Sequence, residues 1–258
     1  MSPLQVNVAG VGLWMPQFPN AAAWAQRQPL AEGEPIKPTG EAFSRVNRRR
    51  ASQMGRAIGD AVAEAMAQAG VDPRTTPVIV GSSIGEASAM IGLLDQMWRA
   101  QEPMSPAVFT VSVHNAASGL LSISMKNKGY TTSIAADYDT PAAALLEGIG
   151  LIATGHDAVC CVCADEESPR SLLEHAPHWD MLAGAVVLTK TNASDAGVQL
   201  TVHTSGDADV AGSDVAAKFT HNPQVGIIDL IDAVQRKANG MLRLDRGKGR
   251  GYLAQLAS

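Results

Sequence analysis

Three cysteines, Cys160, Cys161 and Cys163, fall within four positions of one another. A thiolate is a strong nucleophile, yet this spacing neither staples distant elements nor gives the paired ligands of a zinc site. The segment Ala158–Ala164 is apolar throughout, so the thiols read as residues of a buried strand. No helix start follows them directly, and the nearest imidazole, His156, precedes the strand on a turn. The run Asp137-Tyr138-Asp139-Thr140-Pro141 is of another kind. It sets a phenol between two carboxylates just before a hydroxyl and a proline, the signal of a helix start with Thr140 as the cap. Arg45, Arg48, Arg49 and Arg50, with Arg56, make a basic run that could receive an acidic surface or simply form a solvated helix approach. Gly81-Ser82-Ser83-Ile84-Gly85 has the glycines of a phosphate loop but no following lysine, so a tight turn is the expectation.

The elements that must position these groups follow from periodicity. Gln5–Leu13 alternates apolar residues and reads as a strand turning near Pro16, and Gln28–Gly40 reads as a surface loop. Ala51–Ala69 carries Met54, Ile58, Val62, Ala65 and Ala69 at helical spacing and stops at Gly70, a C-cap. A short strand Pro77–Val80 precedes a helix expected over Ile84–Arg99, and a further helix is expected over Asn115–Asn127. Strand Tyr130–Ala136 leads to helix Ala142–Thr154, apolar on nearly every side and so expected to be central and buried. Strands Ala158–Ala164, Ala183–Thr189 and Val198–Val202 follow, then helix Pro223–Asn239. The last two segments, Met241–Leu244 and Tyr252–Leu256, are joined by an Arg/Gly/Lys turn. Strands alternating with helices, one helix inside, predict a layered α/β/α domain. The methionines read as core filling, and the four tryptophans form no stripe and are assigned only packing.

The 258 residues are 46% hydrophobic and 17% charged with a formal net charge of -5, the profile of a globular protein with a substantial core. That mild acidity offers no footprint for nucleic acid. No apolar stretch is long enough to span a bilayer and no signal-type N-terminus is visible, so the expectation is a cytoplasmic protein. No metal site and no cofactor are expected.

Three blocks carry a family resemblance. They are the strand Val6–Gly12, the stretch "AEAMAQAGVDP…VIVGSSIGE" between Ala51 and Gly85, and above all "SPAVFTVSVHNAASGLLSI" with "GYTTSIAADYDTPAAALLEGIGLIATGHDAVCCVCADE". With "HWDMLAGAVVLTK" they make the chain, from Leu4 to Lys190, resemble the N-terminal half of a β-ketoacyl synthase, a thiolase-fold condensing enzyme. The resemblance implies a thiolase-like layered fold with the N-terminal half largely intact (1–190) and a shortened C-terminal remnant (191–258) packed on the same domain. It also implies that Tyr138 occupies the nucleophile position. Asn115-Ala116-Ala117-Ser118-Gly119 imitates the nucleophile motif, but that register leaves Ser105–His114 and the strand after Gly129 without counterparts.

The departures are chemical. An active synthase uses a thiolate at a helix N-terminus, whereas a phenol with an ordinary pKa near ~10 is a poor nucleophile at neutral pH. Asp137 and Asp139 compensate the helix dipole but repel the anion that the chemistry needs. The family's histidines come from a C-terminal half that this chain largely lacks, and His203 and His221 read as surface or structural residues. The resemblance therefore implies no catalytic residue and no condensation by this chain alone. It implies a chain-length-factor-like partner of a cysteine-bearing ketosynthase, closest to the short subunits of aryl polyene clusters, in a fatty-acid-like or polyene pathway. In such pairs Thr131, Thr132, Ser133, Ile134, Ala135 and Ala136 add edge to edge to the partner. Val108, Phe109, Thr110, Ser112, His114 and Asn115 approach its acyl tunnel, and Arg45, Arg48, Arg49 and Arg50 meet the acyl carrier protein. Two other readings stay open at this point: an independent acyltransferase or hydrolase with another nucleophile, and a carrier-binding scaffold.

Overall fold

The computed structural model describes residues 4–30, 36–171, 175, 177–191 and 197–258. Parts of the expected loop Gln28–Gly40 and of the segment between Glu166 and Trp179 lie outside the described residues. In chain order the elements are β1 (Val6–Trp14), α1 (Ala21–Ala25), α2 (Arg45–Arg50), α3 (Gln53–Ala69), β2 (Val78–Gly81), α4 (Ala87–Asp95), α5 (Pro106–Phe109), α6 (Ala116–Met125) and β3 (Thr131–Ile134). They continue with α7 (Thr140–Ala153), β4 (Ala158–Asp165), β5 (Leu182–Lys190), β6 (Val198–His203), α8 (Val225–Gln235), β7 (Gly240–Arg243) and β8 (Leu253–Ala257). The strands form one mixed sheet in the order β3-β2-β4-β5-β1-β6-β8-β7. β3, β2 and β4 are parallel, and every other pairing is antiparallel.

Side-chain alternation along the central strands splits the interior in two. Val159, Cys161 and Cys163 of β4 face a core built with α7, α8 and the β6-β8-β7 strands, while Cys160, Val162 and Ala164 face α3 and α6. A strand buried on both faces reads as a continuous apolar run, which is why Ala158–Ala164 shows almost no polar residue. β1 bulges between Val8 and Gly10, and only its first three residues pair with β6. The β6-β8-β7 strands share one core with α7 and α8. On the opposite face α3 lies against β1 so closely that a Cβ at Gly10 or Gly12 would overlap the carbonyl oxygens of Ala65 and Ala61. α3 is capped by Ser52, whose hydroxyl accepts from Gly55 N, so it begins two residues later than expected, and it ends on left-handed Gly70, the expected C-cap.

Three expectations are corrected. The helix foreseen over Ile84–Arg99 begins only at Ala87, because Ser82–Glu86 winds into a turn tied to β4, and it closes in a π-turn over Gln96–Ala100. Thr140 is the first residue of α7 rather than its cap: Asp139 holds the cap position without a side-chain bond, and the Thr140 hydroxyl donates to Asp137 O. α7 buries Ala142, Leu145, Ile149 and Ile152 but leaves Leu146 and Gly150 exposed, so it is covered on one side and open on the other.

Candidate functional site

β3 runs directly into a 3₁₀ turn, Asp137–Asp139, at the start of α7. Asp137 takes a left-handed backbone (φ 51°), uncommon for a residue with a side chain, so the surroundings must hold it. Its carbonyl accepts from Ser83 Oγ (2.9 Å) and Thr140 Oγ1 (2.7 Å), and Thr140 Oγ1 in turn accepts from Ala136 N (2.9 Å). Ser83 is held by Gln224 Nε2 (2.8 Å) at the start of α8. Beneath them lies the buried carboxylate of Asp165, at the end of β4. It accepts from Ser82 Oγ (2.6 Å), Ser83 N (3.0 Å), Ile84 N (3.2 Å) and Gln224 Nε2 (2.8 Å). Burial raises its pKa to about 6, against the pull of the Ser82 and Gln224 hydrogen bonds. The expected tight turn at Gly81–Gly85 is thus one wall of a polar network that fixes the Tyr138 turn.

Tyr138 is half-buried. Its hydroxyl donates to His221 O (3.0 Å), and Lys248 Nζ stands 5.0 Å from the ring centroid. Burial, then the Asp137 carboxylate, push the phenol's pKa above its ordinary value. Lys248 comes from the β7–β8 turn, where Asp245 accepts from the amides of Gly247, Gly249 and Gly251 and from Arg243 Nε. Arg250 N donates to Asp139 Oδ1 (2.9 Å), and Gly249 packs where a Cβ would strike that carboxylate. Together Ala136, Tyr138, Asp139, Leu146, Lys248 and Tyr252 line an open cleft of about 670 Å³. The Tyr138 hydroxyl is thus engaged as a hydrogen-bond donor, and its raised pKa favours the neutral phenol. The three thiols are no substitute: all are fully buried, with Cys160 pushed up to about 12 and Cys161 and Cys163 also raised, first of all by burial.

The remaining sequence-derived positions divide into two groups. Val108 and Phe109 lie on α5 and are exposed, Thr110 Oγ1 and Ser112 Oγ donate to Ala107 O and Phe109 O, and Asn115 precedes α6. The His114 ring bonds Ser82 O (2.7 Å), which ties this segment to the Asp165 network. Thr131, Thr132, Ser133 and Ile134 form β3, an edge of the sheet whose single neighbouring strand is β2; Ala135 is exposed and Ala136 half-buried. Ser118 and Ser122 of α6 bond Ser133 and Thr131, holding that edge flat against α6. In the basic run, Arg48 donates to Gly40 O and Phe43 O, and Arg56 to Arg48 O, so these two close the α2–α3 corner. Among the described residues Arg45 and Arg49 make no side-chain hydrogen bond, and Arg50 reaches only Thr110 Oγ1.

Lys248, the His221 carbonyl, Gln224 and Asp165 were not foreseen as parts of the site. The Arg/Gly/Lys turn was visible in the sequence, but nothing local says that it folds back over Tyr138. A Ser–His pair also exists, Ser168 Oγ with His178 Nδ1 at 3.0 Å. Ser168 is only 2% exposed and its hydroxyl also accepts from Trp179 N, so this pair closes a loop rather than presenting a nucleophile. Among the described residues no group of three or more His, Cys, Asp or Glu could hold a metal ion, and no helix is long and apolar enough to cross a membrane.

A mixed sheet flanked by helices, with a tight turn at the head of the half-covered helix α7, defines a thiolase-like ketosynthase fold. Residues 21–245 match the family described as "Beta-ketoacyl synthase, N-terminal domain", and the chain belongs to it. No curated protein matches the sequence. Among solved structures, one described as "Ketosynthase (ApeO) in Complex with its Chain Length Factor (ApeC) from Xenorhabdus doucetiae" is similar with a TM-score of 0.73 at 19% identity, over 99% of this chain and 100% of that one. A second, "The ishigamide ketosynthase/chain length factor", has a TM-score of 0.62 at 16% identity, over 78% of this chain and 67% of that one. A third, described as a type II PKS acyl-carrier protein in complex with its ketosynthase (AntDE:AntF), has a TM-score of 0.56 at 18% identity, over 73% of this chain and 64% of that one. At these identities the likeness is one of fold.

Proposed function

We propose that this chain is the non-catalytic, chain-length-factor-like member of a heterodimer with a cysteine-bearing ketosynthase, and that the pair extends carrier-bound acyl chains. One observation carries the reading: the turn at the head of α7 holds Tyr138, pinned to His221 O and raised in pKa, at the position that the resemblance gives to the reactive sulfur. In this reading the partner makes the carbon–carbon bond and this chain supplies shape. The open edge of β3, with Ala135 and Ala136, adds to the partner's sheet, and Val108–Asn115 forms a wall of the shared acyl tunnel. Residues 1–190 act as the synthase-like domain and 191–258 as a shortened remnant that closes the Tyr138 turn. Arg45, Arg49 and Arg50 are the carrier contact, while Arg48 serves structure. The descriptions of two similar structures as ketosynthase with chain length factor support the pairing, and the carrier complex among them supports the carrier contact. The setting we infer is a cytoplasmic polyene or fatty-acid-like pathway of the aryl polyene type.

Copurification with a cysteine-bearing ketosynthase of the same organism, followed by mass measurement of the complex and product profiling, tests the reading. The Tyr138→Cys chain alone is expected to give no condensation, and Thr110→Phe or Ser112→Phe is expected to change product length in the pair. Condensation of malonyl and acyl thioesters by the isolated parent chain would overturn the proposal.

A further inference from the structure

The large apolar side chains left in solvent are concentrated on one run of chain. Leu94, Met97, Trp98, Met104, Phe109 and Ile123 are all exposed, and they follow one another from α4 to α6. Such methionines are surface residues, contrary to the core-filling expectation. The run is continuous in space with the sheet edge, since α4 contacts α5, α5 leads through Thr110–Asn115 into α6, and α6 contacts β3. One side of the molecule therefore presents two kinds of unsatisfied group: apolar side chains and the unpaired backbone of an edge strand.

Trp98 stands out within this face. It is 73% exposed, whereas Trp14, Trp24 and Trp179 are 2%, 2% and 6% exposed. The backbone that carries it is unusual. After the Asp95–Arg99 ion pair, Gln96–Ala100 winds as a π-turn that ends on Gln101 in a left-handed conformation (φ 53°), with Gln101 N donating to Gln96 O. π-turns are rare and concentrate at functional positions. An exposed indole is also the side chain that most often anchors a protein interface, because it removes a large apolar area from water for few frozen torsions.

We propose that Trp98 is the anchor through which this face binds its partner, a second protein that brings an open strand edge and, beside it, an uncharged pocket of indole size. The inference rests on the pairing reading above and names the residue that carries the affinity. The chemistry of the surface selects this occupant. A lipid surface would cover the apolar side chains but leave the β3 backbone unpaired, and Arg99, next to Trp98 in sequence, is already engaged by Asp95. A protein with its own strand edge satisfies both sets of groups at once.

The test uses the full chain labelled with 5-fluorotryptophan, whose four indoles give four fluorine signals, with Trp98 assigned from Trp98→Phe. Addition of the unlabelled ketosynthase is expected to shift the Trp98 signal and remove its solvent-isotope response while the three buried indoles stay unchanged. Trp98→Ala is expected to weaken the pair by about thirtyfold or more, the effect of losing an interface anchor. Trp98→Phe should fall between, and both variants should melt as the parent does. A pair that forms with the Trp98 signal unmoved, or whose affinity changes less than twofold in Trp98→Ala, overturns the anchor and leaves the pairing intact. A signal that shifts with concentration of this chain alone, or with phosphatidylglycerol vesicles alone, overturns it in favour of self-association or a membrane. If the parent chain forms no pair at all, the anchor and the pairing reading fall together.

Discussion

The Tyr138 turn and the surface from α4 to α6 are opposites. At the turn hydrogen bonds link group to group, from Asp137 O through Ser83 and Asp165 to the Tyr138 hydroxyl itself, with Gln224 Oε1 left without a partner among the described residues. On the surface, large side chains stand in water and, among the described residues, β3 has no strand on its outer side. Hydrogen-bond satisfaction belongs to groups that hold a shape, and unsatisfied apolar area to groups that await another molecule. The Tyr138 turn is a structural joint between the N-terminal elements and the β7–β8 turn.

The largest effect expected from breaking this contrast is at its buried side. Asp165→Ala leaves Ser82, Ser83, Ile84 and Gln224 donors without an acceptor and should cost about 3–5 kcal/mol, seen as a melting temperature lower by roughly 10 °C. A retained melting temperature would mean that the network is not what holds the turn. The next effect is one of pH. Glu86, at the N-cap of α4, is buried against Ser52 with Glu166 nearby, and burial raises its pKa from 4.5 to about 7. A carboxyl raised on folding favours the protonated state, so stability falls as pH climbs from 4.5 through about 7. Glu86→Gln should match the parent near pH 5 and exceed it by about 2 kcal/mol at pH 8 in urea unfolding, an order-of-magnitude figure from the shift. Equal curves at pH 8 would show that Glu86 carries no such penalty. The smallest effects make a matched pair: Tyr138→Phe loses one partly buried hydrogen bond, about 1 kcal/mol, while Ile123→Ser on the open face changes stability by less than about 0.5 kcal/mol. Equal losses in the two variants would erase the distinction between joint and docking face.

Much of this architecture was legible in the chain. The run Ala158–Ala164 showed a strand covered on both faces, Gly70 the end of α3, and Gly81–Gly85 a tight turn, because each depends on neighbours in sequence. What the sequence could not show depends on partners far along it. Gln224 reaches Ser83 across 141 positions and Asp139 holds Arg250 across 111, and no local pattern encodes either. Thr140 misled for a local reason: its hydroxyl donates to Asp137 O instead of capping, and the helix starts one residue earlier with Asp139 at the cap position. Trp98 was misread because an isolated tryptophan in sequence is more often buried, whereas here it follows Leu94 on the exposed side of the chain.

The full burial of Cys160, Cys161 and Cys163, the only cysteines in the chain, has a practical consequence. A thiol-selective alkylating reagent added to the folded protein has no sulfur to attack at its surface. In a mixture with a second protein, any rapid labelling reports on that other molecule, and the count of slow adducts on this one becomes a clock for its unfolding.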